Sequence, residues 1–196
     1  MNTQTRYGWT SPQVLLGILA MATIVAASNY LVTIPVTSIF GVDMNAATGF
    51  AFSDYVQWAA FSYPVAFLVT DIMNRTYGPS AARRVIAVGF VFGVALSLWL
   101  ADPRIAFASG AAFLAAQLLD VSVFNRLRDG SWWKAPLVSS IIAGTVDSVL
   151  FWTLAFYASD FVGWWNYGIV DWAVKLSITV AMLVPFRVAM LNLRTV

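Results

Sequence analysis

Three aspartates stand inside apolar runs of this chain: Asp71 in VAFLVTDIMNRTYG, Asp120 in AAQLLDVSVF and Asp147 in IIAGTVDSVLFW. Lys175, in DWAVKLSITV, and Asn29, in AASNYLV, are placed in the same way. All nine acidic residues are aspartates, and the chain has no Glu, His or Cys. That inventory excludes thiol nucleophiles, imidazole acid–base chemistry, the usual zinc sites and disulfides. What remains is carboxylate chemistry: accepting hydrogen bonds from a ligand, or carrying a proton. Metal-assisted chemistry on three aspartates is the enzymatic alternative. It wants clustered ligands, and the sequence has no closely spaced Asp pair of the DxxxD type.

An ionisable side chain at mid-membrane costs about 2.5–3.5 kcal/mol on insertion scales, so these groups must pair with or contact something. Helical spacing gathers polar and aromatic residues into stripes. Phe67, Asp71 and Asn74 share a face, as do Gln117, Asp120 and Phe124, and as do Ser140, Gly144, Asp147 and Phe151. Asp171 and Lys175 are an i,i+4 pair. Four helices with the same mixture predict one polar pocket inside a bundle, since ligand sites set a few polar groups among apolar and aromatic walls. Structural readings stand beside this one. Asp171–Lys175 reads equally as an ion pair, Asp71 and Asp120 as partners of Arg75 and Arg126, and Asn29 as a helix cross-link.

The elements that must position these residues are membrane spans. Sixty per cent of the 196 residues are hydrophobic and 10% are charged, against about 25% charged in a soluble domain, and mean hydropathy is +0.77. The pattern predicts an all-α integral membrane protein, a single polytopic domain over residues 1–196. A spanning helix needs about 20 apolar residues. Six spans are expected, at about 14–37, 55–77, 81–100, 103–127, 134–157 and 168–192. Pro35, Pro64 and Pro185 are expected to kink helices. The first apolar run also has features of a signal peptide, though it continues past Ala27 to about Val36. The connection at residues 36–54 reads as a loop or a re-entrant piece.

Charge sets the orientation. With the N-terminus inside, Arg6, Arg75, Arg83, Arg84, Arg126, Arg128, Lys134, Arg187 and Arg194 are cytoplasmic and only Arg104 lies outside, so both termini are expected in the cytoplasm. Basic residues confined to span ends argue against a nucleic-acid face. The GFVFG of Gly89–Gly93 is a close-packing pattern, serving the bundle interior or a homodimer.

Five blocks of sequence resemble the queuosine precursor transporter family, also called the vitamin uptake transporter family. They are SNYLVTIPV (28–36), FSYPVAFLVTDIMNRTYGPSAARRVI (61–86), AQLLDVSVFNRLRDGSWWKAP (116–136), GTVDSVLFWTLAF (144–156) and VDWAVKLSITVAMLVP (170–185). The resemblance implies a six-helix bacterial inner-membrane importer of the 7-deazaguanine bases preQ0 and preQ1, with no cofactor. It places Asn29, Asp71, Gln117, Asp120, Asp147 and Lys175 on the family's recurring polar positions. The chain departs from the family pattern at Arg75, Lys134 and Gly144.

A 7-deazaguanine edge offers two parallel donors, N1–H and the exocyclic amine, to which a carboxylate is the natural acceptor. Asp147 and Asp120 are therefore expected to read the base. Lys175 or Asn29 would donate to the ring carbonyl, and Asp71 would pair with a basic group or gate the inner exit. The alternative is a substrate-binding component served by a separate ATPase, because the chain has no phosphate-binding loop.

Overall fold

The computed structural model describes residues 8–49, 51–100 and 102–193. Arg6 and Arg194, two of the positions used to orient the chain, lie outside the described residues. Proline and glycine set most element boundaries. Helix α1 (Pro12–Leu31) begins with Pro at its first position, where the missing N–H has no intrahelical partner to lose. The first span is thus 12–31 rather than 14–37. Val32 to Val36 is apolar but is not helix. Pro35 pairs antiparallel with Gln57, because proline cannot continue a helical hydrogen-bond ladder and prefers extended surroundings.

The 36–54 connection is a folded surface piece. Strands β1 (Ser38–Ile39) and β2 (Val42–Asp43) form a small antiparallel hairpin. Its two turn residues, Phe40 and Gly41, both have positive φ (49° and 80°), as a primed hairpin turn requires. Two short helices follow, α2 (Met44–Thr48) and α3 (Phe52–Tyr55). The Asp43 side chain caps the first by accepting from the Asn45 and Ala46 amides.

Five long helices then run back and forth: α4 (Ala59–Tyr77), α5 (Pro79–Leu100), α6 (Pro103–Leu127), α7 (Lys134–Phe156) and α8 (Trp164–Asn192). A single residue links α4 to α5. Gly78 takes φ 88° and Pro79 starts the next helix, so the chain reverses with no loop. Among the described residues five helices (α1, α5, α6, α7 and α8) are long and apolar enough to cross a membrane.

Helix α4 is the exception, for a physical reason. Ser62, Tyr63, Pro64, Thr70, Asp71, Asn74 and Arg75 lower its hydropathy, yet nine of its 19 residues are buried, whereas α8 buries three of 29. It packs against α1, α5, α6, α7 and α8. A helix enclosed by other helices needs less apolar surface than one facing lipid.

Small residues let the helices approach. A Cβ on Gly89 would fall 2.5 Å from Met21 Cγ, and one on Gly93 3.1 Å from Val25 Cγ1. The GFVFG pattern therefore packs α5 onto α1 inside the molecule. On α1, a Cβ at Gly17 would meet Met73 Sδ and Val85 Cγ2, both at 2.9 Å. Val85 is β-branched and fully buried, so it has little room to yield. Gly17→Val is expected to destabilise the bundle by about 1–3 kcal/mol, read as earlier thermal unfolding in detergent.

Candidate functional site

The chain directions sort the charges. Arg75, Arg128 and Arg187 lie at or near the C-terminal ends of α4, α6 and α8. Arg83, Arg84 and Lys134 lie at the N-terminal ends of α5 and α7. In an alternating bundle these ends coincide, giving one basic end.

A cavity of about 410 Å³ occupies the half of the bundle away from that end. This is within the 300–1,000 Å³ range of small-ligand sites. Each long helix contributes the part distal to the basic end: Asn29 from α1, Tyr63 from α4, Ser97 from α5, Ser109 from α6, Asp147 and Trp152 from α7, and Tyr167, Asp171 and Lys175 from α8. The hairpin connection supplies Gln57 at the rim.

The charged part of the lining is a triad built across two helices. Lys175 Nζ lies 2.9 Å from Asp147 Oδ2 and 2.7 Å from Asp171 Oδ2, and 3.3 Å from Ser148 Oγ. Its three donors are thereby used. Ser148 also donates to Asp171 Oδ2 at 2.8 Å, and Trp152 Nε1 does so at 3.4 Å. Asp171 is held by these three donors through Oδ2 alone, and its Oδ1 has no hydrogen-bond partner among the described residues. Asp147 is held by Lys175 alone: Oδ2 takes the ammonium, and Oδ1 likewise has no hydrogen-bond partner among the described residues, although the residue is 2% exposed. These two Oδ1 atoms are the acceptors left for a ligand, that of Asp147 being the more deeply buried. Asn29 offers the complementary group. Its Oδ1 accepts from Ser97 at 3.2 Å and its Nδ2 donates to Val25 O at 2.9 Å, leaving one amide N–H. Trp152, Phe156, Phe161 and Tyr167 form a run of ring contacts at 4.8–5.9 Å that closes one side with flat apolar surface.

The other three expected site residues lie closer to the basic end. Ser140 Oγ, on α7, sits 3.4 Å from Asp71 Oδ2 and 3.3 Å from Asp120 Oδ1. The two carboxyl groups lie within hydrogen-bonding reach of each other, and among the described residues Asp71 Oδ1 and Asp120 Oδ2 have no other partner. Gln117 Oε1 accepts from Thr70 at 2.6 Å. The expectation of one polar pocket is therefore modified. Asn29, Asp147 and Lys175 line the large cavity; Asp71, Asp120 and Gln117 form an inner layer outside it. The pairings of Asp71 with Arg75 and of Asp120 with Arg126 are not seen. Lys175 instead forms ion pairs, with Asp147 and Asp171.

Arg75 instead donates to the Arg128 carbonyl, and Arg128 donates to both the backbone oxygen and the side-chain Oδ1 of Asn74. Asn74 in turn donates to Val121 O at 3.2 Å. These contacts clamp the ends of α4 and α6 together. Burial, with the adjacent Arg75, lowers the Arg128 pKa from its ordinary value.

Between the two polar groups lies Gly144, one turn from Ser140 and one from Asp147. It is buried, and a Cβ there would meet nothing within 4 Å.

The family model described as "Putative vitamin uptake transporter" matches residues 57–102 and 97–190. A Haemophilus influenzae protein named "Probable queuosine precursor transporter" is 34% identical over 195 residues, 86% of this chain and 82% of that one. The chain belongs to this family. The "Queuosine precursor transporter" of Escherichia coli K12 is 33% identical over 195 residues, 87% of this chain and 82% of its own. A Bacillus subtilis relative, also named "Probable queuosine precursor transporter", is 25% identical over 158 residues, 65% of this chain and 68% of its own. No solved structure matches the chain. The family match runs through α4 to α8 and so includes the whole charged triad.

Sequence reasoning did not select Tyr63, Trp152 or Tyr167, nor Asp171 as a site residue. Tyr63 carries the one available signal: it stands two turns before Asp71 on a helix too polar to face lipid. The Lys175 ammonium lies 5.3 Å from its ring centre.

Proposed function

We propose that the chain imports 7-deazaguanine precursors of queuosine across the bacterial inner membrane. The observation that carries this reading is the similarity, over more than four-fifths of the chain, to relatives whose names state that transport. The cavity supports it chemically. The unpartnered oxygen of Asp147, with Oδ2 beside it, would accept N1–H and the exocyclic amine together. The free N–H of Asn29 would reach the ring carbonyl. The aromatic side would stack the flat base, worth about 1–3 kcal/mol by analogy with nucleic-acid binders.

In this reading Lys175 orients Asp147 and does not touch the ligand. Asp71, Asp120 and Gln117 form the layer that a substrate crosses after leaving the cavity. Helix α4 counts as the sixth span, enclosed by the other five. Both termini are cytoplasmic, because the described basic residues gather at one end and the cavity opens at the other.

The test is queuosine in tRNA from a bacterial strain lacking both precursor synthesis and its own importer, expressing this chain and fed dilute precursor. Restored queuosine is the expected result. No restoration, with the protein present in the membrane, would refute the reading.

A further inference from the structure

We propose that the cavity selects a flat base bearing one positive charge over its neutral counterpart. Within the precursor family this means the aminomethyl form over the nitrile form. The inference rests on the import reading above and adds a preference that the reading does not require.

Charge balance carries it. The charged side chains lining the cavity are Asp147, Asp171 and Lys175, two carboxylates against one ammonium, so the site holds a net charge of −1. The ammonium is enclosed by the two carboxylates and Ser148 and offers no donor to a ligand. The nearest cation on that side, Arg104, is committed elsewhere: it donates to the backbone carbonyls of Leu154 and Tyr157. The remaining basic side chains of the bundle stand at its far end, beyond the inner layer. The excess negative charge thus has no second protein cation beside it, in a setting where charges are less screened than in bulk water.

A cationic ligand supplies the missing charge. With the base edge on Asp147, the hydrogen bond the cation makes to the open Oδ1 of Asp171 is charge-assisted on both sides, roughly twice as strong as a neutral one. The rings of Trp152, Phe156 and Tyr167 face the same space and attract a cation through their π faces. A neutral nitrile gains from neither effect.

The experiment is uptake into proteoliposomes of purified protein at pH 7, with the aminomethyl and nitrile 7-deazaguanines compared at low and at ordinary sodium. The half-saturating concentration of the aminomethyl form is expected to be at least about tenfold lower, whatever the sodium concentration. Asp171→Asn, which leaves one carboxylate against one ammonium, should bring the two forms to within about twofold. Equal half-saturation in the wild-type protein would overturn the proposal while leaving precursor import intact. So would a preference that Asp171→Asn does not change, or neutral-form uptake that becomes equal once sodium supplies the charge. Uptake of neither form would overturn the import reading and this one with it.

Discussion

Asp147→Asn is expected to lower precursor import by about 5- to 150-fold, with the protein still in the membrane at normal abundance. The lower bound and the upper bound correspond to losing about 1 and about 3 kcal/mol, the worth of a bidentate contact to a base edge. The carboxylate presents two acceptor oxygens, one of them unpartnered, to two parallel donors. An amide replaces one acceptor with an N–H₂ group that opposes a donor. The fold should tolerate the change, because Lys175 keeps Asp171 at 2.7 Å and Ser148 at 3.3 Å. Initial uptake rates beside detergent gel filtration separate the two effects. Wild-type import by a well-folded Asp147→Asn protein would remove Asp147 from the site.

Lys175→Met should act in the opposite manner, on the fold first. It leaves buried Asp147 and half-buried Asp171 side by side with no cation between them. Breaking a buried pair by removing one partner costs about 3–5 kcal/mol, and here two carboxylates lose their counter-charge at once. For a chain of this length that is on the order of 10 °C in thermal unfolding. Neutralising the orphaned partners with Asp147→Asn and Asp171→Asn on the Lys175→Met background should recover most of the stability and none of the import. An unchanged melting temperature in Lys175→Met alone would mean that the triad contributes little to the bundle.

The relation between sequence and structure differs from element to element. Residues 103–127 and 134–156 were legible almost to the residue, because Pro103 and Lys134 start long apolar runs with clear ends. The end of the first span was not. Val32 and Val36 continue the hydrophobic run, and hydropathy cannot distinguish an apolar extended segment from another helical turn; the proline three residues after Val32 can. Phe40 in a positive-φ turn carries no sequence signal at all, since Asn or Gly is the usual occupant.

The site shows the same division. A charged residue in an apolar run announces itself by its cost, so Asp71, Asp120, Asp147 and Lys175 were visible one by one. Helical periodicity gives the face on which each lies, but not the helix that face meets. Asp147 therefore had no visible partner, although Lys175 stands 28 positions later in the chain. The structural alternative paired Asp71 and Asp120 each with a nearby arginine, whereas Ser140 lies within 3.3–3.4 Å of both. Aromatic residues were the least legible, because lipid-facing and cavity-facing rings look alike in a sequence this apolar.

The open space beside Gly144 has a mechanical meaning. Interiors are normally close-packed, so an element can shift only by forcing its neighbours out of their rotamers. At Gly144 a methyl group's breadth of clearance exists already, midway between the outer cavity and the inner carboxylates. Helix α7 has clearance there that a side chain would begin to fill. Carriers that rock one part of a bundle against another around a fixed site need a joint of this kind. A glycine against unfilled volume is where such play would be found in this bundle, with the packed helices on either side left tight.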